Sequence, residues 1–137
     1  ASLNFNQTNS RYKPPAAPKE WTIRQTLETL SRPLPKSLIK TKPSGKGQVE
    51  YLPWTQVQKA LNKYAHGNRW RIRRIEQISD RVVVVGELTL YCADGNLITE
   101  ATGSASLENY ADPFASAEAM AFKRCASRLG LGLGLKD

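Results

Sequence analysis

A run of four valines, Val82-Val83-Val84-Val85, is the feature that most constrains how this chain can fold, because β-branched residues favour extended strands. Residues with strong turn preferences stand on both sides of the run. Ser79-Asp80 precedes it, and Ala93-Asp94-Gly95-Asn96 follows it as a hairpin turn signal. The sequence therefore predicts three antiparallel strands over residues 70–78, 81–91 and 97–107, joined as a meander.

Helical patterns stand on both sides of this meander. Thr22 and Gln25 have the spacing of a capping box, and the apolar residues that follow predict a short amphipathic helix. After the strands, Asp112 and Pro113 have the residue types of an N-cap and a first helical position. They predict a last helix that ends with the segment Phe122-Lys123-Arg124-Cys125-Ala126-Ser127-Arg128-Leu129-Gly130.

A second helix is predicted after Pro53, which suits a first helical position. Residues 40–48 contain one proline and two glycines, and they read as a polar basic loop. The predicted fold is therefore α+β: a three-stranded antiparallel β-meander packed by helices, with a β-β-β-α core. The buried stripe of the second helix is predicted to be Trp54, Val57, Leu61 and Tyr64.

Composition predicts one folded domain over residues 20–137, preceded by a disordered basic lead-in over residues 1–19 that is rich in Asn, Ser, Pro and Lys. The chain carries 20 Lys and Arg against 12 Asp and Glu, a formal net charge of +8. Such an excess favours a polyanionic partner, with nucleic acid the commonest and an anionic membrane surface the rival. No stretch approaches the ~20 apolar residues that span a bilayer, so no membrane role is expected.

Three cations lie close together near the end of the last predicted helix. At about 100° per residue, Lys123, Arg124 and Arg128 fall within an arc of about 140°. Such a helix can dock on a sheet and still present a fixed cationic stripe that suits phosphate. The alternative is an ordinary solvated basic face. The opposite arc of the helix is apolar and contains Ala121, Phe122, Cys125, Ala126 and Leu129.

A second group of cations alternates along the first strand. Arg69, Arg71 and Arg73 are predicted to project from one side of the sheet, about 6.8 Å apart, where they can follow a phosphate backbone. We expect them to form one wall of a groove, with the last helix as the other wall. Arg74 should face the opposite side unless the strand bulges. The alternative is the polar outer face that antiparallel sheets normally have.

Enzymatic chemistry, a metal and a cofactor are not expected. His66 stands at a helix end beside Gly67 and fits a cap better than a catalytic base. No His or Cys cluster has metal-ligand spacing. The run Gly130-Leu131-Gly132-Leu133-Gly134 follows a helix, so it cannot hold phosphate at a helix N-terminus. Cys92 and Cys125 are predicted to be buried, reduced thiols.

Three segments occur in an order that is typical of a known family. Tyr51-Leu52-Pro53-Trp54-Thr55-Gln56-Val57 opens the second helix, and Glu87-Leu88-Thr89-Leu90-Tyr91 precedes the Asp-Gly turn. The last helix contains Ala117-Glu118-Ala119-Met120-Ala121-Phe122-Lys123-Arg124, followed by Arg128-Leu129-Gly130-Leu131-Gly132-Leu133. Together they resemble the annealing core of the Rad52 family of recombination proteins. The last helix is especially similar to the plant organellar branch, which suggests a cyanobacterial or plastid-type relative.

This resemblance implies ATP-independent annealing of single-stranded DNA (ssDNA) in recombination and repair, by an oligomeric ring with DNA in a groove around it. It also implies that the family's two adjacent DNA-binding cations correspond to Lys123 and Arg124. A third basic position of the family falls on Ser127, with Arg128 one residue beyond, and a further family arginine falls on Gln56. The arginines of the first strand can compensate for these differences.

Two other functions remain open at this point. One is a general ssDNA- or RNA-binding module that does not anneal, and the other is a structural protein whose basic charge is incidental. The expected partners are ssDNA, further copies of the chain, and other recombination or ssDNA-binding proteins. The expected location is the bacterial cytoplasm, at the nucleoid, with a plastid or mitochondrion as the alternative.

Overall fold

A computed structural model describes residues 12–132, and the predicted meander lies at its centre. The strands are β3 (Arg69–Ile78), β4 (Arg81–Cys92) and β5 (Gly95–Ser106), in the spatial order β3-β4-β5. Both pairings are antiparallel, as predicted. Ser79 adopts a φ of 56° in the first turn, and Cys92 pairs with Gly95 across the second.

The three predicted helices are also present: α1 (Ile23–Leu30), α2 (Trp54–Tyr64) and α3 (Pro113–Ser127). α1 begins with the predicted capping box, in which Thr22 and Gln25 exchange side-chain and backbone hydrogen bonds. At the start of α3, the Asp112 carboxylate accepts a hydrogen bond from the Ala115 amide at 3.0 Å. The α+β prediction is therefore confirmed for both helices and sheet.

The loop predicted over residues 40–48 is wrong, because this segment forms an antiparallel hairpin. Its strands are β1 (Lys40–Ser44) and β2 (Gly47–Tyr51), joined through Gly45 at a φ of 58°. A short 3-10 turn, Lys36–Leu38, precedes it. All five residues of β1 are exposed, so the hairpin lacks the apolar alternation by which a strand is recognised in a sequence.

The core lies between one face of the large sheet and the helices. We call this face the inner face; it carries Val82, Val84, Leu88 and Leu90, all fully buried, and α3 packs across its β4 and β5 strands. The other face is the outer face. On α3, the apolar arc predicted from the sequence is buried in full.

A glycine permits the close approach of α3 to the sheet. A Cβ atom at Gly103 of β5 would overlap the Ala117 carbonyl oxygen and lie 2.5 Å from the Ala121 amide nitrogen. On the same strand, the Thr99 hydroxyl donates a hydrogen bond to the Cys125 carbonyl at 3.1 Å. These contacts fix α3, and therefore its cations, relative to the sheet.

One residue of the predicted α2 stripe is not buried. Val57, Leu61 and Tyr64 face the core as expected, and Ala60 joins them, but Trp54 is 50% exposed. Trp54 is the first helical residue, where the chain enters from β2, so its side chain lies at the rim of the core.

The predicted lead-in, residues 1–19, falls partly outside the described residues. Within the described part, Tyr12 donates a hydrogen bond from its hydroxyl to the Glu28 carboxylate at 2.7 Å and contacts Trp21 edge to face. The Trp21 indole donates to the Lys13 carbonyl at 3.0 Å and stacks on Tyr64. Residues 12 and 13 are thereby attached to the core. At the other end, residues 133–134 of the glycine-leucine run also lie outside the described residues.

Candidate nucleic-acid interface

The three cations predicted on α3 have different surroundings. Arg128 is exposed at the helix C-cap, whereas Lys123 and Arg124 are half-buried. Arg124 donates a hydrogen bond from Nη1 to the Thr102 carbonyl of β5 at 3.0 Å, so its guanidinium lies along the edge of the sheet. Lys123 instead points toward β2, where its Nζ atom is 5.7 Å from the centre of the Tyr51 ring. The helix thus directs two adjacent cations to different elements, Arg124 to β5 and Lys123 to β2.

Tyr51 joins Lys123 to a cation that sequence reasoning missed. The Nζ atom of Lys42, on β1, is 5.0 Å from the centre of the same ring. Each such cation–π contact contributes about 0.5–1 kcal/mol at an exposed site, which favours one position for a long, mobile side chain. We call Lys42, Tyr51 and Lys123 the lysine–tyrosine cluster. Its two ammonium groups beside one ring form a cationic surface suited to phosphate.

Lys42 was missed because residues 40–48 were predicted as a loop and not as a hairpin. Lys40 and Lys42 alternate along β1, and Tyr51 ends the strand that pairs with it, with Lys40 directly opposite Tyr51 in the register. When this segment is assigned to a loop, its lysines have no defined direction. Once it is paired, Lys42 lies by the same Tyr51 ring that Lys123 of the last helix approaches.

The arginines of β3 do not alternate as predicted, because the strand bulges between Ile72 and Arg74. The bulge inserts one residue and restores the outer face at Arg74, which pairs with Val85. Arg69, Arg71 and Arg74 therefore share the outer face. The expectation that Arg74 points to the opposite side holds only for a regular strand and is wrong for this one.

Arg73, the residue at the bulge, is paired with carboxylates. Its Nη1 atom is 2.9 Å from a Glu87 oxygen and 3.9 Å from a Glu100 oxygen. The hydrogen bond with Glu87, together with the charge of Glu100, raises the pKa of the Arg73 guanidinium. Glu87 and Glu100 are directly opposite each other across β4 and β5, an arrangement that repels unless a cation lies between them. Arg73 supplies that cation, which gives it a structural reason to be there.

The structure does not bring the two groups of cations together within one chain. Arg69 and Arg71 lie on the outer face of the sheet, whereas α3 packs on the inner face. The hypothesis that the strand and the last helix form two walls of one groove is therefore wrong for a single chain. Arg74 is also paired, with its Nε atom 2.9 Å from a Glu76 oxygen.

An aromatic pocket opens next to the lysine–tyrosine cluster, between the start of α2, β3 and α3. Its volume is about 170 Å³. The Trp70 indole donates a hydrogen bond to a Glu118 carboxylate oxygen at 2.8 Å, and its ring meets Phe122 edge to face with centres 5.2 Å apart. The pocket is lined by Trp54, Gln58, Trp70, Ala115, Glu118, Ala119 and Phe122.

The chain is similar to two proteins of Arabidopsis thaliana. It is 33% identical to DNA repair RAD52-like protein 1, mitochondrial, over 117 residues, which are 82% of this chain and 66% of that protein. The chain belongs to the Rad52 family, in its plant organellar branch. It is also 32% identical to DNA repair RAD52-like protein 2, chloroplastic, over 117 residues, which are 81% of this chain and 59% of that protein.

The chain thus spans no more than about two thirds of the length of the Rad52 relatives that it matches. No family model matches the sequence. Both relatives are named as DNA repair proteins.

Gln56 and Ser127 occupy the two positions at which the family resemblance implies further cations. Gln56 and Ser127 are both half-buried, on α2 and at the end of α3. In this Rad52-family chain, Lys42 brings a positive charge to the same α3 surface from the hairpin. The cationic surface is therefore assembled from two elements.

Within residues 12–132, no group of three His, Cys, Asp or Glu side chains could hold a metal ion. Cys92 and Cys125 are free and buried, as predicted, and burial raises the pKa of the Cys125 thiol. No helix in the same range is long and apolar enough to cross a membrane.

Proposed function

We propose that this chain binds ssDNA without sequence specificity and anneals complementary strands in recombination and repair, without ATP or a metal. The lysine–tyrosine cluster carries the proposal. It places Lys123, one of the cations implied by the family resemblance, by the same aromatic ring as a second cation, Lys42 of the hairpin. The Rad52 membership supports the repair context.

The chemistry of annealing requires this kind of surface. The phosphate backbone must be held while the base edges remain available for pairing, and cations that contact phosphates supply affinity without reading sequence. The chain is not an enzyme in this proposal, because no bond is made or broken. Duplex formation itself supplies the driving force.

We propose further that many copies form a closed ring, so that weak contacts repeat along one strand. The exposure of β3 supports this assembly. Nine of its ten residues are exposed, among them Ile72, Ile75 and Ile78. A long edge strand with exposed apolar residues is normally covered by another chain. In a head-to-tail ring, β3 of one copy would approach the β5 side of the next.

We propose an organellar location for the protein, in a mitochondrion or plastid. The names of both relatives support this alternative and give no support to the bacterial nucleoid. Other recombination or ssDNA-binding proteins of the same compartment are the expected partners.

The test is an annealing assay with complementary fluorescent oligonucleotides, without ATP or divalent metal. We expect the wild type to accelerate annealing, and a Lys123→Ala/Arg124→Ala variant to bind ssDNA more weakly. For this variant, the slope of log affinity against log salt concentration should be smaller in magnitude by about 0.7 for each phosphate that it no longer neutralises. Lys59→Ala, an exposed lysine on α2, is the control with the same charge change as one of these substitutions.

Two results would contradict the proposal in different ways. Binding without accelerated annealing would indicate a general ssDNA-binding module. Unchanged binding by the folded double variant would show that α3 is not the DNA site.

A further inference from the structure

The aromatic pocket beside the lysine–tyrosine cluster has no part in holding phosphate. Its lining is mostly apolar, and its one charged group is the Glu118 carboxylate. A carboxylate repels phosphate, so the pocket and the cluster suit different parts of a ligand. A flat, neutral and aromatic group fits a lining of this kind.

The inner wall of the pocket is held in place from several sides. Trp70 donates its indole hydrogen to Glu118 at 2.8 Å and packs edge to face on Phe122. The Trp70 ring lies against Gly86, where any Cβ atom would overlap it. Because three neighbours fix Trp70, the pocket is formed before any ligand binds.

The mouth of the pocket is formed by Trp54, whose side chain is half exposed. An indole at a pocket rim offers an open π-face to an incoming ring. Since every nucleobase has such a face, stacking there does not select a sequence. It also leaves the pairing edge of the base available.

The pocket and the cluster are neighbours on the same surface of α3. Ala115 and Ala119 line the pocket, and Lys123 follows one turn later, about 6 Å further along the helix axis. On the other side, Tyr51 of the cluster precedes Trp54 of the pocket by three residues. A phosphate at the cluster would therefore have its own base within reach of the pocket.

We propose that the pocket receives one base of the bound strand, stacked on Trp54, while the adjacent phosphate lies on Lys42 and Lys123. This inference rests on the proposed ssDNA binding and adds a base-binding site to it. Each copy of the chain would then grip a strand at two points, one electrostatic and one aromatic. The aromatic contact would keep the bound DNA strand from sliding along the cationic surface.

The experiment compares two ligands of equal length and equal charge: a short oligothymidylate and a phosphodiester strand of abasic sites. We expect the wild type to bind the base-bearing strand about 5- to 150-fold more tightly, the range for one stacked base. In Trp54→Ala the ratio should fall toward one, while the salt dependence of binding stays the same. Phe114→Ala is the matched control, because Phe114 is an equally exposed aromatic residue of α3, at 51%, that does not line the pocket.

Tryptophan fluorescence provides a second readout. Oligothymidylate should quench the wild-type emission, and Trp54→Phe should reduce the quenching to the part that comes from Trp70 while it preserves the affinity ratio. Equal affinity of the wild type for both strands, or an unchanged ratio in Trp54→Ala, would overturn the base pocket and leave annealing intact. Failure to bind either strand would instead refute the proposed function.

The rival occupant is a side chain from a second copy of the chain. It predicts that Trp54→Ala lowers the mass of the DNA-free protein in light scattering. That result, with an unchanged affinity ratio, would make the pocket a contact between copies and would also overturn the inference.

Discussion

Tyr51 is the residue on which the cationic surface depends, although it carries no charge. Lys42 and Lys123 are 81 positions apart in the sequence, and both contact its ring. Without the ring, two long side chains of like charge would move apart, because their ammonium groups repel each other. A neutral residue thus sets where two charges lie.

We therefore expect Tyr51→Leu to weaken ssDNA binding although the net charge is unchanged. Tyr51→Phe keeps the ring and should bind like the wild type, since the cation–π attraction comes from the ring face. Fluorescence anisotropy with a labelled oligonucleotide measures both affinities. Equal affinity in Tyr51→Leu and the wild type would show that the ring does not organise the lysines for binding.

The two thiols lead to a prediction about reactivity. Both cysteines are buried, and burial raises the pKa of Cys125, so the protonated, unreactive form is favoured in the folded chain. A soluble aromatic disulfide reagent should modify them only as fast as the chain unfolds.

Because the unfolded thiol ionises at about 8.5, the stability that this buried thiol contributes should be present below that pH and should be lost as the pH rises above it. Rapid labelling of the native protein would contradict the burial of both residues.

At the scale of elements, the sequence predicted the helices and strands that bury apolar residues and missed the features formed by exposed residues. The meander and the three helices were predictable because their apolar residues follow the periods of a strand and a helix. The β1–β2 hairpin was not, because no residue of β1 is buried. The bulge in β3 was equally hidden, since inserting one residue into an exposed edge strand leaves no apolar mismatch. Both misses concern the cations directly.

The packing of α3 on β5 predicts the effect of one added methyl group. Gly103→Ala should destabilise the fold by about 1–3 kcal/mol, because the new Cβ would meet helix backbone that cannot rotate away. Gly47→Ala is the control: it lies in a strand, and a Cβ there would meet nothing within 4 Å. Thermal unfolding followed by circular dichroism compares the two variants. A Gly103→Ala protein as stable as Gly47→Ala would contradict the close approach of α3.

At the scale of the whole molecule, the β3 arginines and the lysine–tyrosine cluster lie on two separate surfaces. The outer face of the sheet carries Arg69 and Arg71, and the lysine–tyrosine cluster lies on the side of α3. A DNA strand that contacts both surfaces of one chain would have to pass around an edge of the sheet. In the proposed ring, the β3 arginines of one copy would lie toward the α3 cations of the next, and a two-walled groove would form between subunits.

That assembly leads to the last prediction. We expect light scattering to give a mass many times the 15.3 kDa of one chain, independent of dilution over a wide range. Ile75→Lys should break the assembly into smaller species, because it replaces an apolar side chain that is 50% exposed on the edge strand with a charged one. Gln77→Lys adds the same charge on the same face of β3 without removing an apolar side chain, so it should leave more of the assembly intact. A monomer at every concentration would refute the ring and the groove between subunits together.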